Sequence, residues 1–123
     1  MPWSITKSLI RNLMHAATRV YPLEFIAMVG VSKDTPYCLS EIIVLPAEFG
    51  EDFSELHTEL IPFDPLIVGS VHSHPDTITR PSAEDLNVFS RLGKIHLILG
   101  HPYDETSFSA YDSKGKKVNL RVV

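Results

Sequence analysis

The stretch VHSHPDTITRPSAEDL, residues 71–86, gathers the groups in this chain best able to do chemistry. His72 and His74 stand one residue apart. On a β-strand that spacing turns both imidazoles to the same face. Ser73 then points the other way, and Pro75, which cannot donate to a ladder, ends the strand. Ser82 and Asp85 follow at the start of an apolar helical pattern. Ser-x-x-Asp in that place resembles a capping box, although Glu or Gln is usual at the third helical position. Each part has an ordinary explanation on its own: polar residues at a strand end, and an acidic residue in a first helical turn. Together, two imidazoles and a carboxylate make a three-ligand set for zinc, with a fourth position open to water. Zinc in such a site lowers the pKa of water to about 7.

Hydrolysis at such a centre needs a general base beside the water and a donor near the developing oxyanion. Ser82 is the candidate donor. Glu24, in the apolar stretch YPLEFIAMVG, is the best candidate base. A carboxylate there must lie at an exposed strand end or in a cleft, because burying it unpaired is costly. Glu41 and Glu59 are rivals on sequence grounds, and a plain strand-end charge is the simpler account of Glu24.

The elements that must hold these groups can be read from periodicity. Residues 4–20 carry Ile5, Leu9, Leu13, Ala16, Ala17 and Val20 at a spacing near 3.6, which predicts an amphipathic helix capped by Ser4 and ended by Pro22. Residues 23–31 and 39–46 are expected as strands, with a turn at 32–36. Residues 47–64 are polar and lack a clean period. They are expected as a loop or irregular insertion, with a short strand near 57–61. A strand at 66–73 carries the histidines. A helix at 82–93 with Leu86, Phe89 and Leu92 inward is closed by Gly93. Strands follow at 94–100, 106–112 and 116–122, the last two joined by a tight turn at DSKG, 112–115. This order predicts an α/β or α+β sandwich around one mixed sheet.

The chain has 123 residues, which suits one domain spanning 1–123 with one modest core. Its formal charge is −4, with both signs interspersed, and no basic stripe points to nucleic acid. No apolar run is long enough to span a bilayer, and the first 22 residues lack a signal-peptide core, so a cytoplasmic location is expected. Cys38 is the only cysteine, which excludes an internal disulfide and a multi-thiolate zinc site. A metal here must use histidine and carboxylate.

The full pattern resembles the JAMM motif of MPN+ metalloproteases. It consists of an early Glu24, then His72, Ser73, His74 and Pro75, then Ser82 and Asp85. Seven residues separate His74 from Ser82 and two separate Ser82 from Asp85, as in that family. The order of elements also fits along essentially the whole chain, most closely the short archaeal members. The resemblance implies a cytidine-deaminase-like fold, a twisted mixed sheet flanked by helices. It implies one zinc ion bound by His72, His74 and Asp85. Glu24 would hold the water, act as base and pass the proton to the leaving amine, and Ser82 would stabilise the oxyanion. Partners would be conjugates of small ubiquitin-like proteins of the β-grasp fold, cut between the modifier's C-terminus and a lysine. Many members carry P-x-E-x-C-G, whereas PLEFIAMVG has Phe25, Ile26 and Ala27 around the Glu. None of these is a ligand, and the difference argues against close kinship to the proteasome-lid and signalosome subunits.

The same residues admit other readings. The site could trim the C-terminus of a sulfur-carrier protein, or the domain could be a non-catalytic MPN scaffold, although scaffolds have usually lost ligands. Amidohydrolase barrels also begin with H-x-H but need about 250 residues. Cupins place a Glu ligand where Ile78 and Thr79 stand, and deaminases need paired thiolates. His96 is expected as a satisfied core or sheet-face histidine. His57 and His101 are expected as solvent-facing, with a groove-lining role the alternative. Cys38 reads as a small hydrophobe, Met14 and Met28 as core, and Trp3 as a cover for the helix start. Residues 47–64 are the candidate substrate-facing segment, where an extended tail could add as a strand. Nothing in the chain decides between a monomer and a homodimer.

Overall fold

The central strands are buried at nearly every residue, so the sheet has two buried faces, and among the described residues one helix covers each. The computed structural model describes residues 2–44 and 63–123. The elements are β1 (Ser4–Ile5), α1 (Lys7–Val20), β2 (Ile26–Ser32), β3 (Thr35–Ile43), β4 (Ile67–Ser73), α2 (Ala83–Phe89), β5 (Ile95–Leu99), β6 (Phe108–Tyr111), β7 (Lys117–Val118) and β8 (Arg121–Val122). Among the described residues they form one mixed sheet in the order β7-β6-β5-β4-β2-β3-β1-β8. The α/β class expected from the element order is the class found.

Helix α1 buries Leu9, Ile10, Leu13, Met14 and Ala17, a stripe at helical spacing. The stripe packs on Ala27, Val29, Val31, Leu39, Val71, Leu97 and Leu99 from one face of the sheet. Truncating a buried residue here, such as Leu13→Ala, costs about 2–5 kcal/mol. The helix starts later than its periodicity suggests. Ser4 and Ile5 pair in parallel with both β3 and β8, and Thr6, not Ser4, caps the helix by accepting the Leu9 N–H at 3.1 Å. Ile5 therefore keeps its buried place as part of a strand.

On the opposite face Ile26, Met28, Ile98 and Tyr111 meet Val88, Phe89 and Leu92 from α2 and the turn after it. Helix α2 is shorter than 82–93. It ends at Phe89, and the chain turns to Gly93, whose φ is +96°. Leu86, expected to face inward, is exposed, and Val88 takes its place.

Between β2 and β3 the turn is tighter than 32–36, because Ser32 already pairs with Thr35. Pro36 falls inside β3 next to a register shift in the β2–β3 ladder, where its missing N–H is tolerated. The expected strand 116–122 breaks into β7 and β8, which lie at opposite edges of the sheet. The DSKG turn forms as expected: Asp112 N–H donates to the Lys116 carbonyl at 2.9 Å, and Gly115 has φ +81°. The expected short strand near 57–61, His57, Glu59, the end of the expected strand 39–46 beyond residue 44, and the segment 47–64 apart from Phe63 and Asp64 lie outside the described residues.

Candidate metal centre

Two elements bring the ligands together. Strand β4 is central, antiparallel to β2 and parallel to β5, with His72 opposite Ile26 on one side and Ile98 on the other. His72 thus hangs from the α2 face of the sheet and is fully buried. His74 lies just past the end of β4. Its N–H still donates to the Leu99 carbonyl at 2.8 Å, which keeps it in line with the strand and on the same face as His72. Ser73, on the other face, accepts the Phe25 N–H on its hydroxyl at 2.8 Å.

Helix α2 supplies the carboxylate. The Ser-x-x-Asp sequence forms a capping box: Ser82 Oγ accepts the Asp85 N–H at 3.0 Å, and Asp85 Oδ2 accepts the Ser82 N–H at 2.9 Å. This reciprocal pair fixes the first turn and aims Asp85 back at the sheet. Asp85 Oδ2 lies 3.4 Å from His72 Nε2 and 3.4 Å from His74 Nε2, and the two nitrogens are 3.1 Å apart. Among the described residues, these three form the group able to hold a metal ion.

The spacing fits zinc. A tetrahedral ion with ligand bonds of 2.0–2.1 Å sets its ligand atoms about 3.3 Å apart. The donors are also in the right state. His74 Nδ1–H donates to the Ile78 carbonyl at 2.8 Å, which leaves the Nε2 lone pair for the centre. The electrostatics agree. Burial alone would raise the Asp85 carboxyl, but the hydrogen bonds from His72 and His74 outweigh it and hold it well below the usual carboxylate range. His74 is pushed up, first by its bond to Asp85, against the opposing effect of burial. A carboxylate between two imidazoles attracts positive charge, which a proton supplies in the absence of metal and zinc supplies in its presence.

The centre opens into a cavity of about 410 Å³ lined by Glu24, His74, Pro75, Asp76, Ser82, Glu84 and Asp85. His72 is fully buried behind His74 and Asp85 and does not line the cavity. Glu24 reaches this cavity through strand register. The β2–β4 ladder ends at Ile26 and His72, and Glu24 and His74, two residues beyond that pair, both line the cavity. The paired bonds between Phe25 and Ser73, at 2.8 and 3.0 Å, hold that end of β2 in place. Glu41 is elsewhere: it pairs with Gly30, roughly 20 Å along β2 from Glu24 at 3.3 Å per residue.

The remaining histidines behave differently. His96 is buried, its Nδ1 2.6 Å from Ser70 Oγ, and it stacks on Phe89 at 4.4 Å. It is the satisfied core histidine expected of its strand. His101 is exposed and rests against Tyr21, with ring centres 4.7 Å apart. Sequence reasoning missed Tyr103 and Tyr111. Their hydroxyls donate to the carbonyls of His74 and Thr79, each at 2.7 Å, across 29 and 32 residues, and no local motif signals such contacts.

Comparison with known proteins points the same way. The model of prokaryotic homologues of the JAB domain matches residues 6–114. A probable metalloprotease of Haloferax volcanii is 31% identical over 119 residues, covering 89% of this chain and 73% of that protein. A structure described as a JAMM metalloprotease-like zinc site in the proteasome and signalosome is 36% identical. It superposes with TM-score 0.78 over 100% of this chain and 99% of its own. A JAB1/MPN domain protein from Archaeoglobus fulgidus is also 36% identical, with TM-score 0.76 and coverage of 98% and 96%. The fold, the ligand cluster and these matches agree: the chain belongs to the prokaryotic JAB-domain family of the JAMM/MPN+ type, with a metalloprotease-like zinc site.

Proposed function

We propose that this protein is a zinc isopeptidase that hydrolyses the bond between the C-terminus of a ubiquitin-like modifier and a substrate lysine. The observation that carries the reading is that Glu24 and Ser82 line one cavity with His74 and Asp85, two members of the three-ligand cluster. Zinc held by His72, His74 and Asp85 supplies Lewis acidity, which acidifies water and polarises a carbonyl.

The chain's own groups supply the rest. Glu24 takes a proton from the attacking water on its carboxylate and returns it to the leaving lysine nitrogen. Its half-buried place just before β2 puts it in the cavity beside His74 and Asp85. Ser82 accepts the Asp85 N–H at its oxygen, so its own O–H proton remains to donate to the oxyanion on the substrate carbon. With zinc bound, His72 and His74 would face it as neutral imidazoles and Asp85 as a carboxylate, which also accepts the Ser82 N–H. The cavity is open to solvent, which leaves room for an extended tail.

The test uses the zinc-loaded protein and two substrates. One is a small ubiquitin-like protein joined to a lysine side chain. The other is the same protein extended linearly at its C-terminus. Cleavage of the lysine-linked form, lost in Glu24→Gln, supports the isopeptidase. Cleavage of the linear form alone would replace it with a C-terminal trimming peptidase.

A further inference from the structure

His74 is fastened more heavily than a residue beyond a strand end needs to be. Besides its N–H bond to Leu99, its ring donates to the Ile78 carbonyl, and its own carbonyl accepts the Tyr103 hydroxyl at 2.7 Å. Tyr103 reaches it from an unusual backbone. Its φ is +62°, in the left-handed region that residues other than glycine seldom use, and its N–H closes a turn onto the Gly100 carbonyl at 2.9 Å. Its side chain is buried in the α1-side core. Strain of this kind persists where surrounding contacts hold it, and functional sites are where it collects.

The far end of the same loop is fastened in the same way. Tyr111, on β6, donates its hydroxyl to the Thr79 carbonyl at 2.7 Å, and Thr79 Oγ1 meets Ser109 Oγ at 2.8 Å. Thr79 adjoins Ile78, whose carbonyl sets the tautomer of His74. Gly100 closes the arrangement. A Cβ there would stand 2.8 Å from Thr79 Cγ2 and 3.3 Å from the Thr77 carbonyl, so the chain after β5 presses directly on this loop.

We infer that Tyr103 and Tyr111 are positioning residues of the metal centre, a pair of hydroxyl clamps that hold the 74–79 loop so that His74 Nε2 meets His72 and Asp85. His72 is fixed by a central strand and Asp85 by its capping box, so His74 is the ligand whose position depends on this loop. The inference rests on the zinc reading of the cluster.

The test is zinc affinity of Tyr103→Phe and Tyr111→Phe, each of which removes only an oxygen. Dissociation constants come from competition with a chromophoric chelator, and ligand geometry from the visible spectrum of the cobalt-substituted protein. Each variant is expected to bind zinc about tenfold or more weakly, as outer partners of metal-bound histidines generally require. Each should also shift the cobalt bands. Leu120→Ala, at a buried site between β7 and β8, should lower thermal stability and leave both readings alone. Wild-type affinity and spectrum in both tyrosine variants would overturn the clamp, as would an equal loss in Leu120→Ala. Should Tyr103→Phe fail to fold, Tyr111→Phe decides by the same two readings. A wild-type protein that takes up no zinc would overturn the metal reading, and the clamp with it.

Discussion

His74 and His96 hang from neighbouring strands on one face of one sheet, yet the fold puts them to opposite uses. His96 is sealed. Phe89 stacks on it, and its two nitrogens meet Ser70 Oγ at 2.6 Å and the Gly93 carbonyl at 3.4 Å. Burial, opposed by the Gly93 carbonyl, lowers its pKa to about 4. His74 is open to a cavity, shares a carboxylate with His72, and is pushed the other way. Residue type and strand face are therefore not enough to make a ligand. What sets His72 and His74 apart is an acidic partner from a second element, in a cluster that meets a cavity at His74 and Asp85.

The largest break in this comparison comes from removing the acidic partner or the inner imidazole. Asp85→Ala and His72→Ala should each lose bound zinc and bring hydrolysis down to background, measured as metal content after dialysis and as turnover. A variant that keeps one zinc per chain and full rate would remove the three-ligand account.

Ser82→Ala should act more mildly, and on two quantities. Turnover should fall about 10²–10³-fold if the hydroxyl faces the oxyanion. Stability should fall by about 1 kcal/mol through loss of the cap. Unfolding by urea measures the second separately. A loss of stability with unchanged turnover would leave Ser82 as a cap alone.

The smallest effect sharpens the sealed side. His96 has a folded-state pKa of about 4 against an ordinary value of 6.5, so the unfolded chain takes up its proton first. Its contribution to stability is complete above about pH 6.5 and falls as the pH drops toward 4, by at most about 3 kcal/mol. In His96→Gln that part of the acid slope should vanish while zinc content stays unchanged. Urea midpoints of the metal-free protein across this range would show it. An unaltered slope would mean that His96 titrates normally in the folded state.

Much of the centre was legible in the sequence because its parts are local. Alternation along a strand aligns His72 with His74, and a four-residue capping box aims Asp85. Glu24 was the best candidate base in the sequence, with Glu41 and Glu59 as rivals; the fold puts Glu24 in the cavity lining and Glu41 far along the sheet. The parts not legible are those made by distant pairing. Strand β1 is two residues long and exists because β3 and β8 flank it, so no period announces it, and the cap moves from Ser4 to Thr6 as a consequence. The split of 116–122 between the two edges of the sheet is likewise a matter of partners and not of propensity. Tyr103 and Tyr111 act on a loop some 30 residues earlier, and their types would equally suit plain core positions.

The most direct test of the central claim is to measure zinc content and turnover together in Glu24→Gln. Glu24 lines the cavity beside His74 and Asp85, and in the proposed mechanism its proton transfer is what turns the centre into a hydrolase. The account predicts one zinc per chain, as in the wild type, with most of the rate lost. Near-normal turnover, or loss of the metal along with the rate, would contradict it.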